Sequence, residues 1–436
     1  MAQDRAEPAV TDDGRRPNDP DSHIDRWFIP VAAYALAWAV YAWLTNGRPT
    51  DLNYFMPLAD AFLHGRLGLT ETHTWLNEVV PAANGLYWVV YPPMPAIVLM
   101  PPVAVFGAQF TNQGWASILL GAVNVGLASV VIRGMGVARF PRIVLTLVFG
   151  FGTIVWYSAQ AGSSWHFAHV VTMLFLLLAI LAAQRDWATW LIGLLFAFAI
   201  LSRLTVAGGF PFFLAYLIDR ADREATGDRT VYGRLGADRA RAWATGVRLR
   251  ATVRLAIPAL LAGAIPLALY LAYDQARFGS PFQNGYALIP GLLDEAQYAH
   301  GFFSVLNIPR IFYAMFLTVP QQVDGFPWVQ SYQLGGLSIL LTTPLFLWAI
   351  KARRPDWFGI GTWLSVVLIL LPILLHSDPG GAQFGFRYAQ DIYPFLLLLT
   401  IRGLAGRISF EAWVAIGIGG IVNLWGMAST YYDWWH

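Results

Sequence analysis

Four residues of this 436-residue chain carry the side chains needed to transfer a phosphate-linked group. They are one acid, Asp51, and three arginines, Arg203, Arg277 and Arg387. Arginine binds phosphate oxygens through a planar fork and keeps its charge when buried. Cations stabilise a departing phosphate, and a carboxylate within hydrogen-bond reach activates an attacking hydroxyl. This set therefore indicates attack by a hydroxyl on a group carried by a phosphate.

The composition places these residues in a membrane protein. Hydrophobic residues make up 57% of the chain and charged residues only 12%, which is about half of the soluble average. Apolar runs of roughly 16 to 21 residues recur along the sequence, as in a polytopic protein. The chain contains no cysteine, which excludes disulfides, thiolate metal sites and cysteine nucleophiles. Its net charge of +2 does not indicate a nucleic-acid partner.

Hydropathy predicts an all-α polytopic membrane protein with about 11 transmembrane helices. The predicted spans lie near 27–46, 114–132, 143–158, 167–183, 188–203, 205–218, 254–274, 334–350, 357–375, 389–402 and 411–428. The shorter spans need neighbouring helices or a locally thinned bilayer.

Arginine and lysine in the loops set the predicted orientation, because cytoplasmic loops are enriched in both. The basic clusters fall on one side of these spans, so the N-terminus is predicted to be cytoplasmic and the C-terminus extracytoplasmic. Residues 1–26 are predicted to be a disordered cytoplasmic tail, and 27–436 the transmembrane domain. The Arg-rich cytoplasmic loop 219–253 is either solvated or an amphipathic helix on anionic lipid. The outer segments are 47–113, 159–166, 275–333 and 376–388.

The apolar stretch 90–107 needs separate treatment. A crossing there would move every later basic loop to the outside, which the charge distribution disfavours. Pro92, Pro93, Pro95, Pro101 and Pro102 interrupt the stretch, and proline bends helices and removes backbone donors. We therefore expect a kinked re-entrant or juxtamembrane element whose broken backbone is buried in protein.

The stretch 50–69 follows the first span and begins with the acid. Leu52, Phe55, Ala59 and Phe62 recur at helical spacing. A one-sided helix beside a span lies flat in the interface. We therefore expect juxtamembrane helices in the first outer loop, with Asp51 held at the boundary between water and lipid.

Local contacts are an alternative explanation for most of these charges. Arg277 could pair with Asp274, and Arg387 with Asp391, at helical spacing. Arg203 could extend to the lipid headgroups. His166 and His169 share a helix face and are explained more simply by ordinary polar contacts than by a metal. Asp60, opposite the apolar stripe, is expected to be a solvated acid.

Several stretches in sequence order resemble the GT-C superfamily of multispanning glycosyltransferases, which includes protein O-mannosyltransferases and aminoarabinose transferases. The resemblance covers most of the chain. It is carried by DLNYFMPLADAFLHGRL, YPPMPAIVLMPPVAVFG, SRLT, RFGSPFQNGY and FGFRYAQDIYPFLLLL. It implies a GT-C-like bundle in the cell envelope, at a bacterial inner membrane. It also implies inverting transfer of a hexose or pentose from a polyprenyl-phosphate-sugar donor to an extracytoplasmic hydroxyl on a lipid, glycan or protein.

The resemblance also implies roles for individual residues. Asp51 matches the catalytic acid of the first outer loop, and Arg387 matches a phosphate ligand near the last one. The remaining substrate-binding candidates are Arg277, Arg203, Tyr388, Asn53 and Tyr54. No cofactor is expected. Many members carry a second acid beside the first, but here Leu52 and Asn53 follow Asp51, which argues against dependence on a metal. If a divalent metal were bound, Asp51, His166 and His169 would be its evident ligands.

Two other functions remain open at this point. A flippase or transporter of lipid-linked sugar would need a polar path through the bilayer, and few charges lie inside the predicted spans. A catalytically inactive relative would instead bind membrane lipid or a partner. The absence of a cavity joining Asp51 to Arg387 would favour that second alternative.

Asp51→Asn is expected to abolish sugar transfer while the protein still folds and inserts, because an amide cannot accept the proton of the attacking hydroxyl. Released polyprenyl phosphate is the measurement, with membrane insertion and thermal midpoint as controls. An active Asp51→Asn protein would contradict the assignment.

Overall fold

The computed structural model is mostly helical and describes residues 23–45, 50, 52–109, 111–227, 248–283, 285–324, 328–330, 333–352 and 356–431. Its α-helices in chain order are α1 His23–Leu44, α2 Phe55–Leu63, α3 Met94–Phe106, α4 Gln113–Gly134, α5 Arg139–Phe151, α6 Val155–Ala161, α7 Ser164–Gln184, α8 Thr189–Ile200, α9 Phe210–Thr226, α10 Leu249–Phe278, α11 Ile308–Phe316, α12 Ile339–Thr342, α13 Trp357–Leu375, α14 Tyr393–Leu404 and α15 Phe410–Tyr431.

Shorter elements connect these helices. The 3₁₀ helices are Leu204–Gly209, Gly285–Leu288, Leu292–Asp294, Ala296–Tyr298, Val305–Asn307, Pro344–Lys351 and Arg387–Ile392. The strands are β1 Val79–Pro81, β2 Tyr87–Val89, β3 Gln321–Gln322, β4 Val329–Gln330, β5 Gln333–Leu334 and β6 Ala382–Gln383. They pair antiparallel as β1 with β2, β3 with β4 and β5 with β6.

Six helices in the described part of the chain are long and apolar enough to cross a membrane, namely α1, α4, α7, α10, α13 and α15. Helices α5 and α6 would make a seventh span if they count as one, although they are bent by 44° relative to each other. The prediction of an all-α membrane protein therefore agrees with the structure, whereas its count of 11 spans is not confirmed.

The four remaining predicted spans fold as shorter pieces. Helix α8 has 12 residues and α14 also has 12, and a helix of that length covers about 18 Å of a hydrocarbon core about 30 Å thick. The predicted span 205–218 is divided between a 3₁₀ helix and α9, and 334–350 between β5, α12 and a 3₁₀ helix. Prolines stand in the first turn of α9, of α14 and of the 3₁₀ helix Pro344–Lys351, where proline favours starting a new helix.

The proline-rich stretch 90–107 contains only the 13-residue helix α3, with Pro101 and Pro102 inside it. A helix of that length covers about 20 Å, less than a bilayer core. Helix α3 packs against α2, and the Met94 N–H donates to the Leu201 carbonyl over 3.1 Å. This bond ties the first outer segment to the end of α8.

The segments predicted on the outer face are joined to one another. Strand β5 pairs with β6, and the Ser377 N–H donates to the Phe302 carbonyl over 2.9 Å. In the first segment, β1 and β2 form a hairpin that shares an apolar cluster with α2, α3 and the start of α7. A larger apolar cluster occupies the helical bundle.

The basic side is held by ion pairs. Arg223 of α9 binds Asp186 over 2.7 Å and Asp219 over 2.8 Å, and Arg254 of α10 binds Glu224 over 3.1 Å. Within the predicted Arg-rich loop 219–253, α9 continues to Thr226 and α10 begins at Leu249. Residues 228–247 lie outside the described residues. So do residues 1–22 of the predicted tail, and α1 begins at His23 rather than at residue 27.

Gly193→Ala is expected to destabilise the bundle, because a Cβ at this position of α8 would overlap the backbone of Ala259 in α10. Forcing extra volume into a packed interface costs about 1–3 kcal/mol, so the thermal midpoint of the purified protein should fall. Gly417→Ala in α15 is the matched control, because its added Cβ meets no atom within 4 Å. Equal midpoints for the two variants would contradict the close packing of α8 on α10.

Candidate functional site

One cavity collects residues from all four segments predicted on the outer face. Its volume is about 220 Å³, and we call it the Tyr388 cavity. Its lining is formed by Glu78, Tyr91, Pro92, Ser164, Trp165, Ala168, Ser202, Arg203, Leu204, Thr205, Tyr286, Tyr298, Phe303, Pro372, Ile373, His376, Asp378, Arg387 and Tyr388. The predicted site residues Arg203, Arg387 and Tyr388 therefore share one cavity.

Arg203 is held in place by a buried carboxylate. Its Nε lies 2.8 and 2.9 Å from the two carboxylate oxygens of Asp391, and Thr205 donates to the same carboxylate over 2.5 Å. His169 Nδ1 is hydrogen-bonded to Asp391 on the other side, over 2.9 Å. Both of these bonds use Nε, and the two terminal nitrogens of Arg203 make no hydrogen bond to the part of the chain that the structure describes, so they are available to a ligand in the cavity.

Arg387 enters the cavity from the 3₁₀ helix Arg387–Ile392. Its Nη1 donates to Gln383 Oε1 over 2.7 Å, and its Nη2 donates to the Tyr388 hydroxyl over 3.3 Å. Its Nε is buried and has no hydrogen-bond partner among the described residues. A buried unpaired donor is costly, so this nitrogen is suited to an acceptor brought by a ligand.

Tyr388 links the two cations. The guanidinium carbon of Arg203 lies 5.4 Å from the centroid of its ring, and that of Arg387 lies 4.8 Å from it. The indole of Trp165 is a second ring near Arg387, at 5.7 Å. Aromatic faces attract cations at these distances. Both guanidinium groups therefore lie close to one ring that lines the cavity, and an anion in the cavity would be attracted to both charges.

Glu78 brings an acid to the same cavity. Its Oε2 accepts a hydrogen bond of 2.8 Å from Trp165 Nε1. Burial raises the pKa of Glu78 to about 7 from its ordinary value of 4.5, and the Trp165 hydrogen bond and the charge of Arg387 offset this only in part. The carboxyl therefore exchanges its proton near neutral pH, as a general base or acid must.

Tyr54 supports this acid from behind the cavity wall. Its side chain is fully buried, and its hydroxyl accepts a 3.1 Å hydrogen bond from the Glu78 N–H. Its own N–H donates to Ser164 Oγ over 2.8 Å. Asn53 caps the start of α2 by accepting from the Met56 N–H over 3.2 Å. Neither Tyr54 nor Asn53 lines the Tyr388 cavity.

Arg277 makes the local pairing considered as an alternative. It lies 2.6 Å from Asp274, donates to the Val89 carbonyl and stacks over the Tyr273 ring at 3.6 Å. It does not line the Tyr388 cavity. The corresponding pairing of Arg387 with Asp391 is not made, because Asp391 instead binds Arg203 and His169. The predicted base, Asp51, lies outside the described residues.

Sequence reasoning overlooked part of this site. The cavity residues Glu78, Asp378, His376, Tyr286 and Tyr298 are not among the site residues predicted from the sequence. Their spacing carries no local signal, since they come from separate segments. His166 and His169 make ordinary polar contacts, with Ser163 and Asp391 respectively, and the described residues contain no group of three His, Cys, Asp or Glu that could hold a metal ion.

The long apolar helices are those of a membrane protein. No protein-family model matches the chain, and neither a curated protein nor a solved structure matches it. The chemistry of the site must therefore be argued from its own geometry.

Glu78→Gln is expected to change how stability depends on pH. In the wild-type protein, the folded state holds a proton between the unfolded pKa of 4.5 and the folded value of about 7. Its thermal midpoint should therefore fall as pH rises through that window. Glutamine keeps an acceptor for Trp165 but cannot ionise, so the slope should flatten. The exposed neighbour Glu71→Gln is the control, and an unchanged slope in Glu78→Gln would contradict the raised pKa.

Proposed function

We propose that the protein is an inverting glycosyltransferase that uses a polyprenyl-phosphate-sugar donor. The acceptor hydroxyl attacks the anomeric carbon while the bond from that carbon to the phosphate oxygen breaks. The hydroxyl proton passes to a carboxylate, and polyprenyl phosphate leaves. The reaction therefore needs cations for the phosphate, a base for the hydroxyl and a place for a lipid tail.

The observation that carries the proposal is the convergence of Arg203 and Arg387 on the Tyr388 ring. The two arginines come from distant parts of the chain and line one cavity. Arg203 keeps its terminal nitrogens available, and Arg387 keeps a buried unpaired Nε. A phosphate placed between them would accept charge-assisted hydrogen bonds from both, and the cations would stabilise the negative charge that develops on the leaving group.

Two carboxylates are candidates for the base. Asp51 is the base that the resemblance implies, and the Leu52 carbonyl beside it in the chain accepts from the Ser164 N–H over 2.9 Å. Ser164 lines the Tyr388 cavity. Glu78 is the second candidate, because it lines the cavity itself and its pKa is raised to about 7. Asp51 keeps the role of base in the proposal, and Glu78 would adjust the charge beside the phosphate.

An apolar groove supports a lipid-linked donor. Helices α8, α9 and α10 line a groove of about 470 Å³ whose walls are almost entirely aliphatic or aromatic. Ile200 and Phe210 belong to its lining, and in the chain they flank residues 202–205, which line the Tyr388 cavity. A tail in this groove would place its phosphate at Arg203. A volume of about 220 Å³ holds a headgroup but not a polyprenyl chain.

The proposal extends to topology and location. A GT-C-like bundle of 11 crossings in a bacterial inner membrane would have a cytoplasmic N-terminus and an extracytoplasmic C-terminus. The four short segments would cross with the help of neighbouring helices or a thinned bilayer. The ion pairs around Arg223 would then lie on the cytoplasmic side, and the Tyr388 cavity on the outer side. The polyprenyl donor and an acceptor hydroxyl would both be available there.

The most direct experiment is to incubate the purified full-length protein with a panel of polyprenyl-phosphate hexoses and pentoses and to measure released polyprenyl phosphate. The proposal predicts release from at least one donor. Loss of release in Asp51→Asn with retention in Glu78→Gln would identify the base. If no donor in the panel is cleaved, the proposed activity is wrong.

Arg387→Lys tests the phosphate-binding role separately from turnover. An ammonium cannot reproduce the planar fork, so affinity for polyprenyl phosphate should fall roughly tenfold, as expected on losing one charge-assisted hydrogen bond. The measurement is a binding isotherm in detergent. Arg310→Lys, an exposed arginine of α11, is the matched control. Equal weakening in both variants would indicate a general charge effect rather than a site.

A further inference from the structure

A second, polar cavity lies in the first outer segment beside the Tyr388 cavity. Its volume is about 400 Å³, and we call it the Trp75 cavity. The lining residues that matter for the argument are Thr50, Asn53, Asp60, Arg66, Glu71 and Trp75. None of them lines the Tyr388 cavity, so this is a separate site.

An aromatic ring forms one wall of the Trp75 cavity. The indole of Trp75 is 51% exposed. The His73 ring stacks against one of its faces, with the centroids 4.5 Å apart and the planes at 11°. The imidazole therefore supports the indole, and about half of the tryptophan residue remains accessible. An exposed tryptophan supported from behind is a rigid apolar platform with low conformational entropy.

The other walls offer both donors and acceptors of hydrogen bonds. Asp60 and Arg66 form an ion pair of 3.1 Å, which orients both side chains toward the same space. Asn53 Oδ1 is used by the Met56 N–H, so its amide NH₂ is the group left for a ligand. Glu71 adds an exposed carboxylate. One cation among two acids disfavours an anionic ligand, and these polar walls disfavour an apolar one.

A saccharide matches this combination. Each sugar hydroxyl is at once a donor and an acceptor, which suits a mixture of carboxylate, amide and guanidinium groups. The C–H face of a sugar ring is apolar and flat enough to pack on an indole. We propose that the Trp75 cavity binds the acceptor and that the acceptor is a saccharide. The inference rests on the proposed function for its second substrate, but binding can be tested without turnover.

The position of the cavity supports this role. Thr50 and Asn53 line it and bracket Asp51 in the sequence. Leu76 lines the Trp75 cavity while Glu78, two residues later, lines the Tyr388 cavity. The two cavities are therefore lined by residues only two positions apart, in a segment contacted by the hydroxyl of the buried Tyr54. A sugar on Trp75 and a phosphate beside Tyr388 would both lie next to this short segment.

The test is the binding of defined trisaccharides to the full-length protein in detergent. Binding is measured by saturation-transfer NMR and by titration. The probes are mannotriose, arabinotriose and chitotriose. At least one should bind the wild-type protein. Trp75→Ala should weaken binding roughly tenfold, the effect expected from losing an aromatic contact. Trp190→Ala is the matched control, because Trp190 is 50% exposed and lies on α8, away from the cavity; it should bind as the wild type does.

Two results would overturn the inference. One is that none of the three probes binds the wild-type protein. The other is that Trp75→Ala binds as tightly as Trp190→Ala, at matched thermal midpoints. The donor panel reports separately on the proposed function. If a trisaccharide binds but no donor is cleaved, the saccharide site is supported and the proposed transferase activity is wrong. If a donor is cleaved but no trisaccharide binds, the transferase activity is supported and the saccharide site is wrong, which would indicate a peptide or lipid acceptor.

Discussion

A buried carboxylate holds one of the two arginines of the Tyr388 cavity in place. Asp391 is almost completely buried and is surrounded by Arg203, Thr205 and His169. A charge in such surroundings is tolerated only when it is paired and hydrogen-bonded, and removing one partner costs about 3–5 kcal/mol. The need to pair this buried charge constrains both the residues around Asp391 and the helix that carries it. It holds Arg203 at the rim of the cavity, and it fixes the 3₁₀ helix on which Arg387 and Tyr388 stand.

This arrangement also explains why the two arginines differ. Arg203 uses its Nε in an ion pair with Asp391, so its charge is largely neutralised before a ligand binds. Arg387 has an amide oxygen and a hydroxyl as partners, and neither cancels its charge. The carboxyl groups of Glu78 and Asp378 line the same cavity and interact electrostatically with Arg387. A phosphate in the cavity would therefore meet an ion-paired Arg203 of fixed orientation and an Arg387 whose charge is influenced by two nearby acids.

The class of the protein and two arginines of the Tyr388 cavity could be predicted from the sequence. Long apolar runs such as those of α4 and α13 are decisive by themselves, because a bilayer requires their length. Arg203 and Arg387 could be selected because a guanidinium binds phosphate through a planar fork and keeps its charge when buried. The pairing of Arg203 with Asp391 could not be predicted, because the two residues are 188 positions apart and nothing in local spacing relates them. Arg277 pairs with Asp274, one helical turn away, and does not line the Tyr388 cavity, so its role in substrate binding stays a prediction. Glu78 could not be selected from the sequence, because burial raises its pKa and local sequence does not show that burial.

The short spans show where hydropathy alone is insufficient. Hydropathy averaged over a sequence window reports apolar content, but it does not detect the prolines at which new helices begin, namely Pro211, Pro344 and Pro394. The structure accordingly divides those regions into 3₁₀ turns and helices of modest length. Two of the breaks adjoin the site: residues 202–205 precede α9, and Arg387–Ile392 precedes α14. Backbone freed from a continuous helix at these points is what lets the arginine side chains turn inward.

The contacts between the segments predicted on the outer face bear on how a substrate would enter the Tyr388 cavity. Strands β5 and β6 are paired, Phe303 bridges His376, and Leu337 exchanges hydrogen bonds with Phe384 and Phe386. These contacts hold the third and fourth segments to each other, so neither is a separately hinged loop. If the proposed function is correct, a lipid-linked donor would enter laterally from the membrane between helices, and polyprenyl phosphate would leave by the same route.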